Sequence, residues 1–205
     1  MSRSRVFVLT LLAMLAFAGN SLLCRAAFKT SSIDAASFTA TRIVAGALTL
    51  WLIVLIRGGR QAPSGSWASG FALFVYAAAF SFAYLSLTAA TGALLLFGAV
   101  QATMIGFGLW RGERIHRRQA VGLTCASIGL IGLVLPGLSA PPFWGSMLML
   151  VAGVAWGVYS LRGKGSGDPL RVTAGNFLRA VIFAVVLSAV MFRGRRWTAS
   201  MWATR

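Results

Sequence analysis

Long apolar runs alternate along this chain with short connectors that are polar and mostly basic. Seven runs have bilayer length: 6–24, 35–56, 67–87, 90–110, 120–138, 143–161 and 172–192. An apolar helix of about 20 residues rises about 30 Å, the thickness of a hydrocarbon core. The runs are continuous rather than alternating with period two, which predicts helices and not a barrel. The connectors are RGGRQAPSGS (57–66), RGERIHRRQ (111–119), SAPP (139–142) and RGKGSGDPLR (162–171). The pattern predicts an all-α fold, a polytopic transmembrane helix bundle of about seven helices. Arg3, Arg5 and the Ala16-Phe17-Ala18 step give the first run some features of a secretion signal. It continues past Ala18 to Cys24 and six more runs follow, so an uncleaved first helix is expected.

Composition narrows the class. Of 205 residues 58% are hydrophobic and 11% charged, with a mean hydropathy of +0.81. Soluble domains carry roughly 25% charged residues, so the chain lacks the polar skin that a water-soluble enzyme of this size needs, and it is too apolar for disorder. The 19 Lys and Arg against 3 Asp and Glu would suggest nucleic acid on a soluble chain. Here they sit at the ends of apolar runs and read as topology signals; the expected partner is the lipid bilayer, with no nucleic acid. With the N-terminus inside, the inner connectors hold eleven basic residues and the outer ones two, Arg25 and Lys29. That bias predicts a cytoplasmic N-terminus. The tail departs from it, since seven crossings place Arg193, Arg195, Arg196 and Arg205 outside. Seventeen of the nineteen basic residues are Arg, and Gly and Ala abound, which suggests a GC-rich bacterial genome and so a bacterial inner membrane. Cys24 and Cys125 lie in different runs without metal spacing and read as buried free thiols; no cofactor and no metal are expected.

The first and sixth runs look alike. Leu15-Ala16-Phe17-Ala18-Gly19-Asn20-Ser21-Leu22 lies over Val154-Ala155-Trp156-Gly157-Val158-Tyr159-Ser160-Leu161. Each is followed by a short basic connector with an Asp (Asp34, Asp168) and then by an apolar run holding Phe38 and Arg42, or Phe177 and Arg179. The first unit (6–138) has five helices. Five is odd, so the second (143–192) begins on the opposite face, the arrangement of inverted-topology repeats. By this reading the second repeat is incomplete, with two helices, and 193–205 is an atypical basic tail.

These residues resemble an EamA-type permease of the drug/metabolite transporter superfamily. The resemblance rests on Gly112-Glu113-Arg114 after the fourth run and on Gln119, Gly122, Gly129 and Gly132 along the fifth. Asp34 with Ser37-Phe38 and Arg42, and Gly153-Val154-Ala155-Trp156-Gly157, support it. It covers residues about 8 to 192 and implies ten helices in two inverted halves with both termini cytoplasmic. Three features differ from that pattern: helices eight to ten are missing, the Arg/Trp-rich tail is unlike the family, and Ala102-Thr103 stands where many relatives have a proline. The resemblance implies movement of a small-molecule substrate, a metabolite or drug with amino-acid-like export foremost, by alternating access.

Intramembrane polar groups are costly and often functional. Asn20, Arg42, Gln101, Asn176 and Arg179, with the aromatic Trp156, are the candidate substrate-pathway residues. Tyr76, Tyr84 and Tyr159 could line the same path. Arg42 either snorkels or pairs with Asp34, or it attracts anionic groups to a central cavity that Arg179 flanks from the other side. The amides either join helices or face substrate. Glu113, among Arg111, Arg114, Arg117 and Arg118, reads as a structural turn held by an ion pair, with gating as the alternative. The pairs Gly153/Gly157 and Gly129/Gly132 read as small faces that let helices approach. Asp34, Glu113 and Asp168 all miss the bilayer midplane, which favours facilitated flux or exchange over ion coupling.

Three functions compete. The first is the permease. The second is a non-transporting truncated remnant or assembly partner, with a homodimer as one arrangement. The third, a membrane enzyme, lacks a nucleophile, base or metal cluster and is not expected.

Overall fold

The computed structural model describes residues 2–57, 64–134 and 141–203. Its elements are seven helices: α1 (Arg3–Thr30), α2 (Ala35–Ile56), α3 (Trp67–Ala83), α4 (Ala89–Trp110), α5 (Arg117–Val134), α6 (Phe143–Gly163) and α7 (Pro169–Ala203). Among the described residues there is no strand, and the chain is a polytopic helical bundle.

Local chemistry sets the helix starts. Asp34 Oδ1 accepts from the amides of Ala36 and Ser37, Ser66 Oγ from Ser69, and Thr88 Oγ1 from Thr91. Such caps satisfy donors that the first turn leaves free. Asp168 Oδ1 accepts from the Leu170 amide, with Pro169 as the first helical residue, where its missing N–H costs nothing.

Among the described residues five helices are long and apolar enough to cross a membrane: α1, α2, α4, α6 and the Pro169–Arg193 part of α7. The sequence pattern predicts seven bilayer-length segments, and two depart from it. The third stops at Ala83, leaving 17 residues, about 26 Å of helix; the chain turns through Tyr84–Leu87, whose apolar side chains hide the turn from a hydropathy reading. The fifth begins with Arg117, and its apolar continuation at 135–138 lies outside the described residues. α1 overruns its predicted span at both ends, and α7 continues past 192 to Ala203, into the basic tail.

α3 is the central element, packed on α6, α7 and α2. α6 bridges α3 and α4, α2 lies on α7, and α1 and α5 stand at the periphery against α4. In lipid the hydrophobic effect gives helices no reason to associate, so close packing and hydrogen bonds must do it. Small residues supply the closeness. Gly153 of α6 meets Ala99 and Leu96 of α4, Gly157 meets Thr103, and Gly46 of α2 seats the Phe177 ring of α7. The packing role expected for Gly153 and Gly157 is visible here. At Gly129 it is not, since nothing lies within 4 Å of where its Cβ would be, and the Gly132 side is not described. Tyr84, Phe80, Ile43, Leu87 and Met149 are fully buried. Phe7, Leu11, Leu15, Leu23, Trp144 and many others are exposed, a skin suited to lipid rather than water.

Candidate functional site

A polar network joins α1, α2 and α3 inside the bundle. Asn20 of α1 donates from Nδ2 to the Tyr76 hydroxyl at 3.2 Å. Arg42 of α2 donates from Nη2 to Asn20 Oδ1 at 3.1 Å and from Nη1 to Ser81 Oγ at 3.3 Å. Ser81 Oγ in turn donates to the Ala77 carbonyl at 2.8 Å. The guanidinium carbon lies 4.9 Å from the Phe80 ring centre and 5.5 Å from that of Phe38. A cation over an aromatic face gains about 0.5–2 kcal/mol, which offsets part of the cost of holding charge at this depth. Arg42 and Asn20 are half-buried; Tyr76 and Ser81 are buried.

Aromatic rings extend the network. Tyr76 stacks on Trp156 of α6 with centroids 4.7 Å apart. Trp156 continues to Tyr159 at 5.4 Å and meets Phe17 of α1 edge-on at 5.9 Å. Phe17 also meets Phe97 of α4 and walls an apolar hollow of about 640 Å³ between α1 and α4. Phe17 and Trp156, which the expected repeat would align, touch through their rings.

A second cluster lies roughly 15 Å along α3, the rise from Ser66 to Tyr76. The buried Asn176 accepts at Oδ1 from the Ser66 amide at 3.0 Å. Arg162 donates from Nε to Ser69 Oγ at 3.1 Å and from Nη2 to Ser66 Oγ at 3.4 Å. Arg179 donates from Nη1 to the Gly175 carbonyl of its own helix at 2.8 Å, and its guanidinium lies 5.8 Å from the Trp67 ring centre. Gly175 itself lies against the Ser64 backbone, so even a methyl there would collide. This cluster ties the α2–α3 connection to α6 and α7.

Asn20, Arg42 and Trp156 thus share one site, and Asn176 and Arg179 another. Arg42 binds neutral oxygens, and the Asp34 carboxylate caps α2 and takes the Ser37 hydroxyl at 2.8 Å. Gln101 joins neither cluster. It is exposed in the open cleft between α4 and α5, a space of about 500 Å³. Glu113 does sit in a turn, but the backbone holds it. The Gly112 amide bonds the Leu109 carbonyl and the Glu113 amide bonds that of Gly108, both at 2.9 Å, with Gly112 at φ +85°. That is a Schellman ending, which needs a left-handed residue at Gly112. No ion pair joins Glu113 to the described Arg111, Arg114 or Arg117, the Arg118 side chain lies outside the described residues, and the Glu113 carboxylate lies over Gly108. Cys24 is buried as expected and Cys125 is exposed, against expectation.

Sequence reasoning missed Ser81, Phe80, Ser66, Ser69 and Arg162 as partners. The spacing of Tyr76, Phe80 and Tyr84 by four marks one face of α3, and Phe38 with Arg42 does the same on α2. Both signals were in the sequence; only the fold makes the two faces meet.

No family model and no solved structure matches the chain. An uncharacterized protein of Pseudomonas aeruginosa is 58% identical over 184 residues, 89% of this chain and 64% of that protein. An uncharacterized transporter of Archaeoglobus fulgidus is 28% identical over 197 residues, 89% of this chain and 66% of that one. The chain therefore spans slightly less than two thirds of the length of the curated relatives it matches.

Proposed function

We propose that this chain acts in a permease that moves a small amphipathic metabolite across a bacterial inner membrane by alternating access. The observation that carries the reading is the network of Asn20, Arg42, Tyr76 and Ser81 beside the Trp156 rings. Polar groups this deep in an apolar bundle are expensive, and they commonly mark a substrate path. The similarity to the Archaeoglobus transporter supports the same reading. The EamA-type resemblance, the inverted repeat and the cytoplasmic N-terminus belong to this proposal. The packing of α2 on α7 and the contact of Phe17 with Trp156 favour the repeat, because corresponding elements of two inverted units meet at the axis relating them. In this scheme the α1–α2–α3 network lies at the substrate level and the Ser66/Asn176 cluster closes one end of the path. Amino-acid-like cargo is the class to test first.

The experiment is flux of labelled amino acids and related metabolites in cells expressing this chain, its longer Pseudomonas relative, or neither. Saturable efflux or uptake above the empty control by cells carrying this chain is expected. Flux with the relative and none with this chain, at equal membrane insertion, would overturn the reading for this chain.

A further inference from the structure

We propose that Arg42 recognises a carboxylate, and that the site takes a small monocarboxylate with an apolar body laid on the Tyr76–Trp156–Phe17 rings. The inference rests on the permease reading and names its cargo. A guanidinium inside a bilayer is costly unless an anion balances it. Arg42 bonds two neutral oxygens instead, the Asn20 amide and the Ser81 hydroxyl. Both are exchangeable partners. Asn20 and Tyr76 can turn their own N–H and O–H to an incoming carboxylate, so the site offers one cation and several neutral donors. One positive charge matches one negative charge; a dianion would enter with a charge left over, and a cationic ligand would be repelled.

Arg179, predicted to play the same part, is built differently. It holds a carbonyl of its own helix and rests on Trp67 in the second cluster, where it fixes the chain rather than facing a path. The two arginines therefore separate into a ligand group and a tie. The body of the ligand follows from the neighbours of Tyr76: Trp156 at 4.7 Å, then Phe17, behind which lies the α1–α4 hollow lined by Ala18, Leu22, Ala93 and Phe97.

The test uses the full chain in lipid nanodiscs with 3-phenylpropionate and its uncharged amide as probes. Tryptophan fluorescence is read, and the part due to Trp156 is isolated by comparison with Trp156→Phe. The acid should give a saturable change and the amide none at the same concentrations. Arg42→Gln should weaken the acid at least tenfold, Arg42→Lys less, and Arg179→Gln not at all. Should Arg42→Gln fail to fold, Asn20→Asp replaces it. That substitution puts a resident carboxylate on Arg42 and should abolish response to the acid. Equal titration by acid and amide, or an unchanged acid midpoint in the Arg42→Gln or Asn20→Asp variant, overturns the proposal. Fluorescence binding without flux of any cargo would instead sink the permease reading and leave carboxylate recognition standing. Flux indifferent to Arg42→Gln would do the reverse.

Discussion

Replacing Gly153 by Ala tests how closely α4 and α6 approach. A Cβ on Gly153 would lie 2.5 Å from the Ala99 Cβ and 2.6 Å from the Leu96 carbonyl oxygen. Carbon atoms in contact prefer about 3.5–4.0 Å, so the helices must part by about 1 Å. Neither obstacle can rotate away, since one is backbone and the other is a Cβ. Overpacking of this kind costs about 1–3 kcal/mol. Gly→Ala also favours a helix by about 1 kcal/mol, which would mask part of the loss. The control is Gly98→Ala on α4, where nothing lies within 4 Å and the residue is exposed. The propensity gain is common to both variants and cancels in their difference. That difference should be about 1–3 kcal/mol, or roughly 2–12 °C in Tm at this chain length. Thermal melts in detergent, followed by the monodisperse peak in size exclusion, measure it. Gly153→Ala melting level with or above Gly98→Ala would refute the close α4–α6 contact.

Gly112→Ala should lower stability by about 1–2 kcal/mol, because φ of +85° is left-handed and a Cβ is strained there; Gly112→Asn should cost less, and the same melts compare them. N-ethylmaleimide should label the native protein once, at the exposed Cys125, and reach the buried Cys24 only after unfolding. Mass spectrometry counts the adducts, and two on the native protein would contradict the packing of α1.

The fold class was readable because the bilayer acts as a solvent of fixed thickness. Runs of about 20 apolar residues have few other uses. The helix ends were less readable, for hydropathy reports where the chain is oily and not where it turns. Leu85 and Leu87 are as apolar as the helix before them, yet Thr88 caps a new helix one residue later. Asn20 and Arg42 stood out because each is polar in an apolar run. Their bond to one another did not, since it spans 22 residues and depends on how α1 meets α2. Gln101 carries the same polar signal, on a face of α4 that opens to the α5 cleft rather than toward the Asn20–Arg42 network. Cys125 and Gly129 lie on α5, a peripheral helix that among the described residues packs chiefly against α4. Sequence periodicity says that a small or thiol residue fits a helix face; it does not say whether another helix covers that face.

The placement of α1 connects the site to motion. Ser21 and Cys24 are its buried residues, and its packing contacts are chiefly with α4. It reaches the centre through polar bonds, Asn20 to Tyr76 and Arg42 and Arg25 to the Tyr84 carbonyl at 2.9 Å, and through the ring contacts of Phe17 with Trp156 and Phe28 with Phe38. Interhelical hydrogen bonds in membranes average about 0.6 kcal/mol, so these three contribute roughly 2 kcal/mol to the hold on α1, a factor of about thirty in equilibrium. α6 lies between α3 and α4 and is seated against α4 and the turn before it through Gly145, Gly153 and Gly157. α1 is thus held in part by bonds that a ligand can exchange, whereas the glycine seats of α6 are matters of shape that it cannot. An anion that took Arg42 from Asn20 would act on the bonds securing α1 and leave α6 in place. Occupancy of Arg42 would therefore bias the position of α1 only by the share of its hold that these bonds supply, with its ring and α4 contacts still in place.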